Sequence, residues 1–319
     1  MNRSGGIGRV PLLVITGATA TGKTFYGIEV ARMYGGEVIS ADSMQVYRYM
    51  NIGTAKPSLE ERRGVPHHLI DILDPDERFS VADFQRMATR CANEIHAAGR
   101  LPIVVGGTAL YIKALTAEYD FPEIQADHGL RERLKAEAAE KGASWLHGRL
   151  REIDPDSADR LHPNDLRRVI RALEVYYLTG KTMSSLRCVR AEGSFDCLIV
   201  GLDMSRPEIY RRIEDRVDRM IAAGLIEEVR ALLDRGYSEH LPSMQGLGYA
   251  EMVAYLKGRA TLPEAVRVLK RNTRNFAKRQ LTWFRNDPRI RWVNVGNDRP
   301  QEAVLADLSR LIEGKWYAA

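Results

Sequence analysis

Eight consecutive residues carry the densest chemistry in the chain. Gly17-Ala18-Thr19-Ala20-Thr21-Gly22-Lys23-Thr24 fits G-x-x-x-x-G-K-[ST], the phosphate-cradling P-loop, and it follows an apolar run, Val10 to Thr16, as that motif requires. The glycines let the backbone wrap so that successive N–H groups point at one anion. Lys23 adds a positive charge, and the Thr24 hydroxyl is suited to Mg²⁺. Thr19 and Thr21 offer further hydroxyls, and a following helix contributes its N-terminal dipole. The expected ligand is a phosphate or diphosphate. The motif does not identify the reaction.

Asp42 is the second candidate. It closes the run Val38-Ile39-Ser40-Ala41-Asp42, at the carboxyl end of a strand expected beside the P-loop strand, where ligands of open α/β sheets bind. It is a candidate general base or metal-associated group, and a turn cap is the alternative. A third strand end is informative for what it lacks. Ile103-Val104-Val105 runs into Gly106-Gly107-Thr108 with no carboxylate, whereas NTP-hydrolysing P-loop proteins place a Mg²⁺-holding Asp there. That counts against an ATPase motor or a GTPase, and leaves small-molecule kinases and diphosphate-using transferases. The seven histidines read as structural or exposed. No Gly-x-Ser-x-Gly elbow supports a nucleophilic triad.

The elements that must hold these residues alternate between strand and helix in the first third of the chain, which predicts a parallel sheet. Strands are expected at Val10–Thr16, Glu37–Ser40, His68–Leu73 and Pro102–Val105. Helices are expected over Lys23–Tyr34, from Ser80 as N-cap to about Ala98, and after Thr108. Between about 122 and 195 only helical patterns occur: Asp127–Lys141, Ser144–Glu152 and Asp165–Thr179. A buried strand returns at Cys197–Asp203, and a last one is expected at Arg291–Val295. The fold class is therefore α/β, a P-loop-type parallel sheet flanked by helices, with an all-helical insertion. The core is expected over 10–121 and 196–319, and the insertion over 122–195.

Composition sets outer bounds. The 319 residues are 45% hydrophobic and 28% charged, as in globular proteins. The apolar runs are too short to span a bilayer, and the Gly-rich tail, residues 1–9, lacks the apolar stretch of a signal peptide. Cys91, Cys188 and Cys197 are scattered without a C-x-x-C pair, so neither a disulfide framework nor a zinc site is expected, and a cytoplasmic location is the simplest. Nothing demands more than a monomer. The net charge of +5 is unevenly spread. From Pro263 to Ile290, eight basic residues face two acids, and Arg267, Lys270, Arg271, Arg274 and Lys278 recur at helical spacing. Such a face suits a polyanion such as RNA. Arg167, Arg168, Arg171, Lys181, Arg187 and Arg190 form a second basic cluster. Phe276, Trp283 and Phe284 are expected in the core.

Taken together, these residues resemble the tRNA dimethylallyltransferases (tRNA isopentenyltransferases), in a bacterial form without an appended zinc finger. The matching runs are Gly17–Thr24, Ile39–Tyr47, Ile52–Pro57, Pro66–Asp71, Val105–Tyr111, His162–Asp165, Arg171–Glu174, Gly246–Tyr249 and Arg274–Trp283. They cover roughly residues 10–285, and the run from Glu118 to Gln125 departs from the pattern. The resemblance implies transfer of a dimethylallyl group from dimethylallyl diphosphate to N6 of adenosine-37, just 3′ of the anticodon, with Mg²⁺. It implies catalytic roles for Asp42, Thr19 and Lys23. The loop Gly17, Ala18, Thr19, Ala20, Thr21, Gly22, Lys23 and Thr24, with Arg216, would hold the diphosphate. Asp42, Ser43, Met44, Gln45, Thr108, Arg131, Arg167, Arg168, Val169, Ile170 and Arg171 would approach the tRNA anticodon stem-loop. Arg274 and Lys278 of the basic face would meet the same RNA. The target base would leave its stack to reach the donor. A P-loop kinase for a small metabolite is the alternative reading; it explains Lys23 and Asp42 but not the basic helix.

Overall fold

The computed structural model describes residues 9–117, 127–186 and 194–317. The chain divides into two compact units, one formed by Met1–Thr116 with Gly193–Ala319, the other by Ala117–Glu192. The expected border at 122, the Glu118–Gln125 run, most of the N-terminal tail and Arg187, Cys188 and Arg190 lie outside the described residues.

The first unit is a six-stranded sheet. In chain order its elements are β1 (Val10–Gly17), α1 (Lys23–Tyr34), β2 (Gly36–Ser40), β3 (His67–His68), α2 (Val81–Ala97), β4 (Leu101–Val105) and α3 (Ala109–Thr116). Four further helices, α4 (His128–Lys141), α5 (Ala143–Ile153), α6 (Pro155–Arg160) and α7 (Leu166–Thr179), make up the second unit. The first unit resumes with β5 (Phe195–Asp203), α8 (Arg206–Ala222), α9 (Leu225–Asp234), α10 (Tyr249–Leu256), α11 (Leu262–Arg285), β6 (Ile290–Asn294) and α12 (Gln301–Trp316).

All strand pairs are parallel, in the order β3-β2-β4-β1-β5-β6. Leu12 to Ile15 are wholly buried on both faces of β1, which is why that strand reads as a continuous apolar run rather than an alternation. The chain leaves β1 for β2 on one side, and after β4 it returns to the other side as β5. The crevice at such a reversal, beyond the strand carboxyl ends, is where these sheets hold ligands.

Helix ends follow local chemistry. Ser80 and Asp83 form a capping box on α2, and Ser205 and Glu208 form one on α8, each satisfying amide donors at a helix start that nothing else in the helix can meet. The third strand is shorter than the expected His68–Leu73. Leu69 and Asp71 adopt positive φ, 60° and 56°, which ends the extended backbone after two residues. In the second unit, α6 fills a stretch for which no helix was expected. Asp154 caps it by accepting from the Ser157 N–H, and Pro155 supplies its first residue.

The aromatic expectations divide. Phe284 is core, but Trp283 is 41% exposed and Phe276 lines a cavity. No described helix is long and apolar enough to cross a membrane.

Candidate active site

The carboxyl ends of β1, β2 and β4 open into a cavity of about 1220 Å³. The Gly17–Thr24 loop forms its floor. Gly22 takes φ 86° immediately before α1, a left-handed turn open to glycine at little cost, and the helix N-terminus therefore faces the cavity. Thr19, Ala20, Gly22, Lys23 and Thr24 line it, while Thr21 is buried and donates to the Ala18 carbonyl at 2.9 Å.

The Lys23 ammonium donates to the Ala18 carbonyl at 2.6 Å. Burial, and then the charge of Arg216, lower its pKa from 10.5 to about 7, with Asp42 pulling the other way. Arg216, on α8, is likewise lowered by burial and supported by Asp42. It makes no hydrogen bond or ion pair among the described residues; Asp218, its sequence neighbour, pairs with Lys270 instead. Two desolvated cations without a bonded anion, over an anion-cradling loop, leave a place for a negatively charged ligand. Arg212 and Arg219 line the same wall, at helical offsets from Arg216. That spacing was legible in the sequence, yet only Arg216 was anticipated.

Asp42 lines the same cavity, near enough for its charge to act on both cations. One carboxylate oxygen accepts the Met44 N–H at 2.9 Å, so the turn-cap role coexists with a position facing the ligand space. Ser43 donates its N–H to the Thr108 hydroxyl at 3.1 Å. Gln45 has its amide engaged: its oxygen accepts from Ser40 at 3.0 Å, and its nitrogen donates to the Thr54 and Ala55 carbonyls. The Gly106-Gly107 turn brings the β4 end close, since a Cβ at Gly106 would collide with the Ala41 carbonyl.

Further lining residues escaped the sequence reading, among them Gln280, Lys56 and His67. Gln280 accepts the Thr19 N–H at 2.8 Å and donates to the Gly107 carbonyl at 2.9 Å, fastening α11 to the loop. Lys56 donates to the Tyr47 carbonyl at 2.8 Å and pairs with Asp71 at 2.5 Å. His67, grouped with the structural histidines, lies on the wall: Nδ1 meets the Val65 carbonyl at 2.9 Å, and the buried Nε2 has no partner. Burial lowers its pKa, so the ring is neutral at pH 7. The signal for Gln280 was a polar residue at helical spacing on an otherwise apolar stripe.

Within the second unit the expected RNA-contacting residues have different surroundings. Arg167 and Arg168 are exposed, the latter beside Asp165 at 3.2 Å. Arg131 grips both oxygens of the fully buried Glu174 at 2.8 Å, and Arg171 bonds the same carboxylate at 2.6 Å. Burial opposes the ionised Glu174, but these two guanidiniums prevail and hold its pKa low. Val169 and Ile170 are core residues, 0% and 5% exposed, because α7 turns that stripe toward α4 and α5. Their side chains are closed to RNA.

The basic face of α11 also needs correction. Its cations find acids on α8: Asp218 pairs with Lys270 and Glu214 with Arg274, at 2.7 and 2.6 Å. Lys278 is exposed to solvent.

The fold and site together define an α/β enzyme built around an anion-binding loop at a strand carboxyl end. The comparisons make this specific: residues 45–287 match the family model for IPP transferase, residues 10–72 match that for isopentenyl transferase, and the chain belongs to the IPP transferase family. It is 55% identical to the tRNA dimethylallyltransferase of Pelotomaculum thermopropionicum, over 95% of this chain and 97% of that one. With that of Symbiobacterium thermophilum it shares 52% identity over 97% of each. The crystal structure of the Bacillus halodurans tRNA isopentenylpyrophosphate transferase matches with TM-score 0.73 and 47% identity, covering 96% of this chain and 97% of that one. A eukaryotic dimethylallyltransferase, captured acting on tRNA, matches at TM-score 0.80 and 28% identity, covering 96% of this chain and 79% of that one.

Proposed function

We propose that this prenyltransferase moves a dimethylallyl group from dimethylallyl diphosphate to N6 of the adenosine just 3′ of the anticodon, in the cytoplasm and as a monomer. The observation that carries the reading is the meeting, in one cavity, of Asp42 and the unpaired cations Lys23 and Arg216. The adenine N6 bonds to C1 of the allylic chain as the C1–O bond to the diphosphate breaks. Negative charge grows on the leaving oxygens, where the loop amides, Lys23 and Arg216 lie in wait; donors fixed before the reaction need no reorganisation during it. The attacking amine sheds a proton, and its uptake is assigned to Asp42, a carboxylate that lines the same cavity. Thr19, its amide held by Gln280, orients a hydroxyl toward the diphosphate.

Mg²⁺ fits as a companion of the donor. Thr24 lines the cavity at the start of α1, and its hydroxyl would hold the ion together with oxygens of the diphosphate. Bound there, the ion would add Lewis-acid neutralisation of the leaving group. RNA approaches through Ser43, Met44, Gln45 and Thr108, with exposed Arg167, Arg168 and Lys278 meeting phosphates.

The test is incubation with Mg²⁺, labelled dimethylallyl diphosphate and unmodified tRNA. Label should enter the tRNA and be lost when the adenosine beside the anticodon is replaced. ATP turnover without RNA, and no label in tRNA, would replace this reading with the kinase.

A further inference from the structure

Helix α11 carries a stripe of which the chemistry above uses only Gln280. Phe276, Arg279, Gln280 and Trp283 fall at i, i+3, i+4 and i+7, on one side of the helix. Phe276 and Gln280 line the cavity, and Trp283 is one turn further along. Cations are interleaved with these rings. The Arg279 guanidinium lies 5.9 Å from the Phe276 ring centre, and the Lys113 ammonium, from α3, lies 5.9 Å from that of Trp283. Leu110, one turn before Lys113 on α3, is 47% exposed beside it. Helix α11 is fastened to the turn that precedes α3 where the Gln280 amide donates to the Gly107 carbonyl, next to Thr108 and the Ser43 N–H it accepts. The Trp283 indole is 41% exposed at that edge, whereas its neighbour Phe284 is buried in the core, so part of the ring is open to a ligand.

We propose that Trp283, flanked by Lys113 and Leu110, is a stacking platform for an unpaired nucleotide adjacent to the target adenosine. The inference deepens the proposed function and rests on it. Alternating rings and cations leading out of a cavity are what a single-stranded nucleic acid requires: a π-face for each base and a positive charge for the backbone between them. Once the target base is drawn into the cavity, its neighbour in the loop loses a stacking partner, and the indole replaces it.

The experiment uses the full chain, dimethylallyl diphosphate and an anticodon stem-loop RNA. Trp283→Leu keeps apolar volume without a π-face and should raise KM for the RNA about 5- to 150-fold, the range for one stacked base. KM for dimethylallyl diphosphate should stay unchanged. Trp283→Phe should restore most of the loss. Making the nucleotide on one side of the target abasic should weaken the RNA for the parent protein, yet cost Trp283→Leu little more, because the two changes remove the same contact. If Trp283→Leu leaves KM for the RNA unchanged, or matches Trp283→Phe, the platform is wrong. The same holds if its effect simply adds to that of the abasic site on both sides of the target, each tested in turn. Absence of transfer to any RNA by the parent protein would instead overturn the function itself.

Discussion

The depressed pKa of Lys23 makes donor binding a proton-uptake reaction. In the empty site, burial and the charge of Arg216 bring Lys23 from 10.5 to about 7. A diphosphate on the loop sets negative charge beside the amine and restores its protonated form. At pH 8 about nine-tenths of the free protein carries a neutral Lys23, so binding should take up about 0.9 proton, against about 0.1 at pH 6. Affinity for dimethylallyl diphosphate should then fall about tenfold per pH unit above 7. The sign for folding agrees: between 7 and 10.5 the unfolded chain binds the extra proton. The penalty of burying this amine is therefore full below pH 7 and is relieved as pH rises toward 10.5. Titration calorimetry at constant Mg²⁺, in buffers of different ionisation enthalpy, counts the protons directly. Lys23→Arg, charged at every pH used, should bind without uptake. Uptake below about 0.2 proton at pH 8, or equal uptake by Lys23→Arg, would show that Lys23 is not the anion's partner.

Asp42→Asn should keep tRNA affinity and lower kcat by about 10²–10⁴-fold, the range for a general base; single-turnover transfer measures it, and an unchanged rate removes Asp42 from the proton path. Lys278→Ala should flatten the slope of log K for tRNA against log salt by about one. Arg274→Ala should flatten it less, because Glu214 already neutralises that guanidinium, and should shift stability by less than about 1 kcal/mol. Glu174→Ala should destabilise the helical unit by about 2–4 kcal/mol in a thermal melt, near the low end for a broken buried pair because Arg131 and Arg171 can turn to solvent. A melt shifted by only a few tenths would show that the two arginines do not depend on it.

Local signals proved legible where the sequence itself fixes the structure. Continuous apolar runs marked β1, β4 and β5, and the octet marked the loop, because backbone requirements there are met by residues next to one another. Charge was harder to read. On α11, Lys270 and Arg274 look unneutralised along the chain, and their acids lie more than fifty residues away on α8. Glu174 is similar: an acidic residue on a helical pattern reads as solvated, and only tertiary packing reveals that two arginines hold it inside. The identity of α11's aromatic residues was legible, but not which face each took. Trp283 and Phe284 are adjacent, about 100° apart around the helix, and tertiary packing alone decides that Phe284 enters the core while Trp283 stays at its edge.

The wall facing Lys23 and Arg216 also shows why the machinery is spread so far along the chain. Between β2 and α2, non-glycine residues Tyr49, Ala55, Arg63, Leu69 and Asp71 take positive φ, at about 1 kcal/mol or more each. Such a segment keeps its shape only if other contacts over-determine it. The Glu228 carboxylate of α9 accepts the N–H groups of Asn51, Ile52 and Gly53 at 2.8, 2.8 and 3.1 Å, and the Tyr249 hydroxyl of α10 at 2.7 Å. A side chain at Gly53 would meet the Tyr249 ring at 2.5 Å, so the clamp closes without slack. Lys56 ties Tyr47, Asn51 and Asp71 from the other side. The carbonyls of Thr54 and Ala55 thus fixed are those that hold Gln45, three residues beyond Asp42. Electrostatic catalysis depends on groups that do not relax as charge develops. Helices α9 and α10, which bear no reacting group, supply that rigidity by holding a strained wall in place.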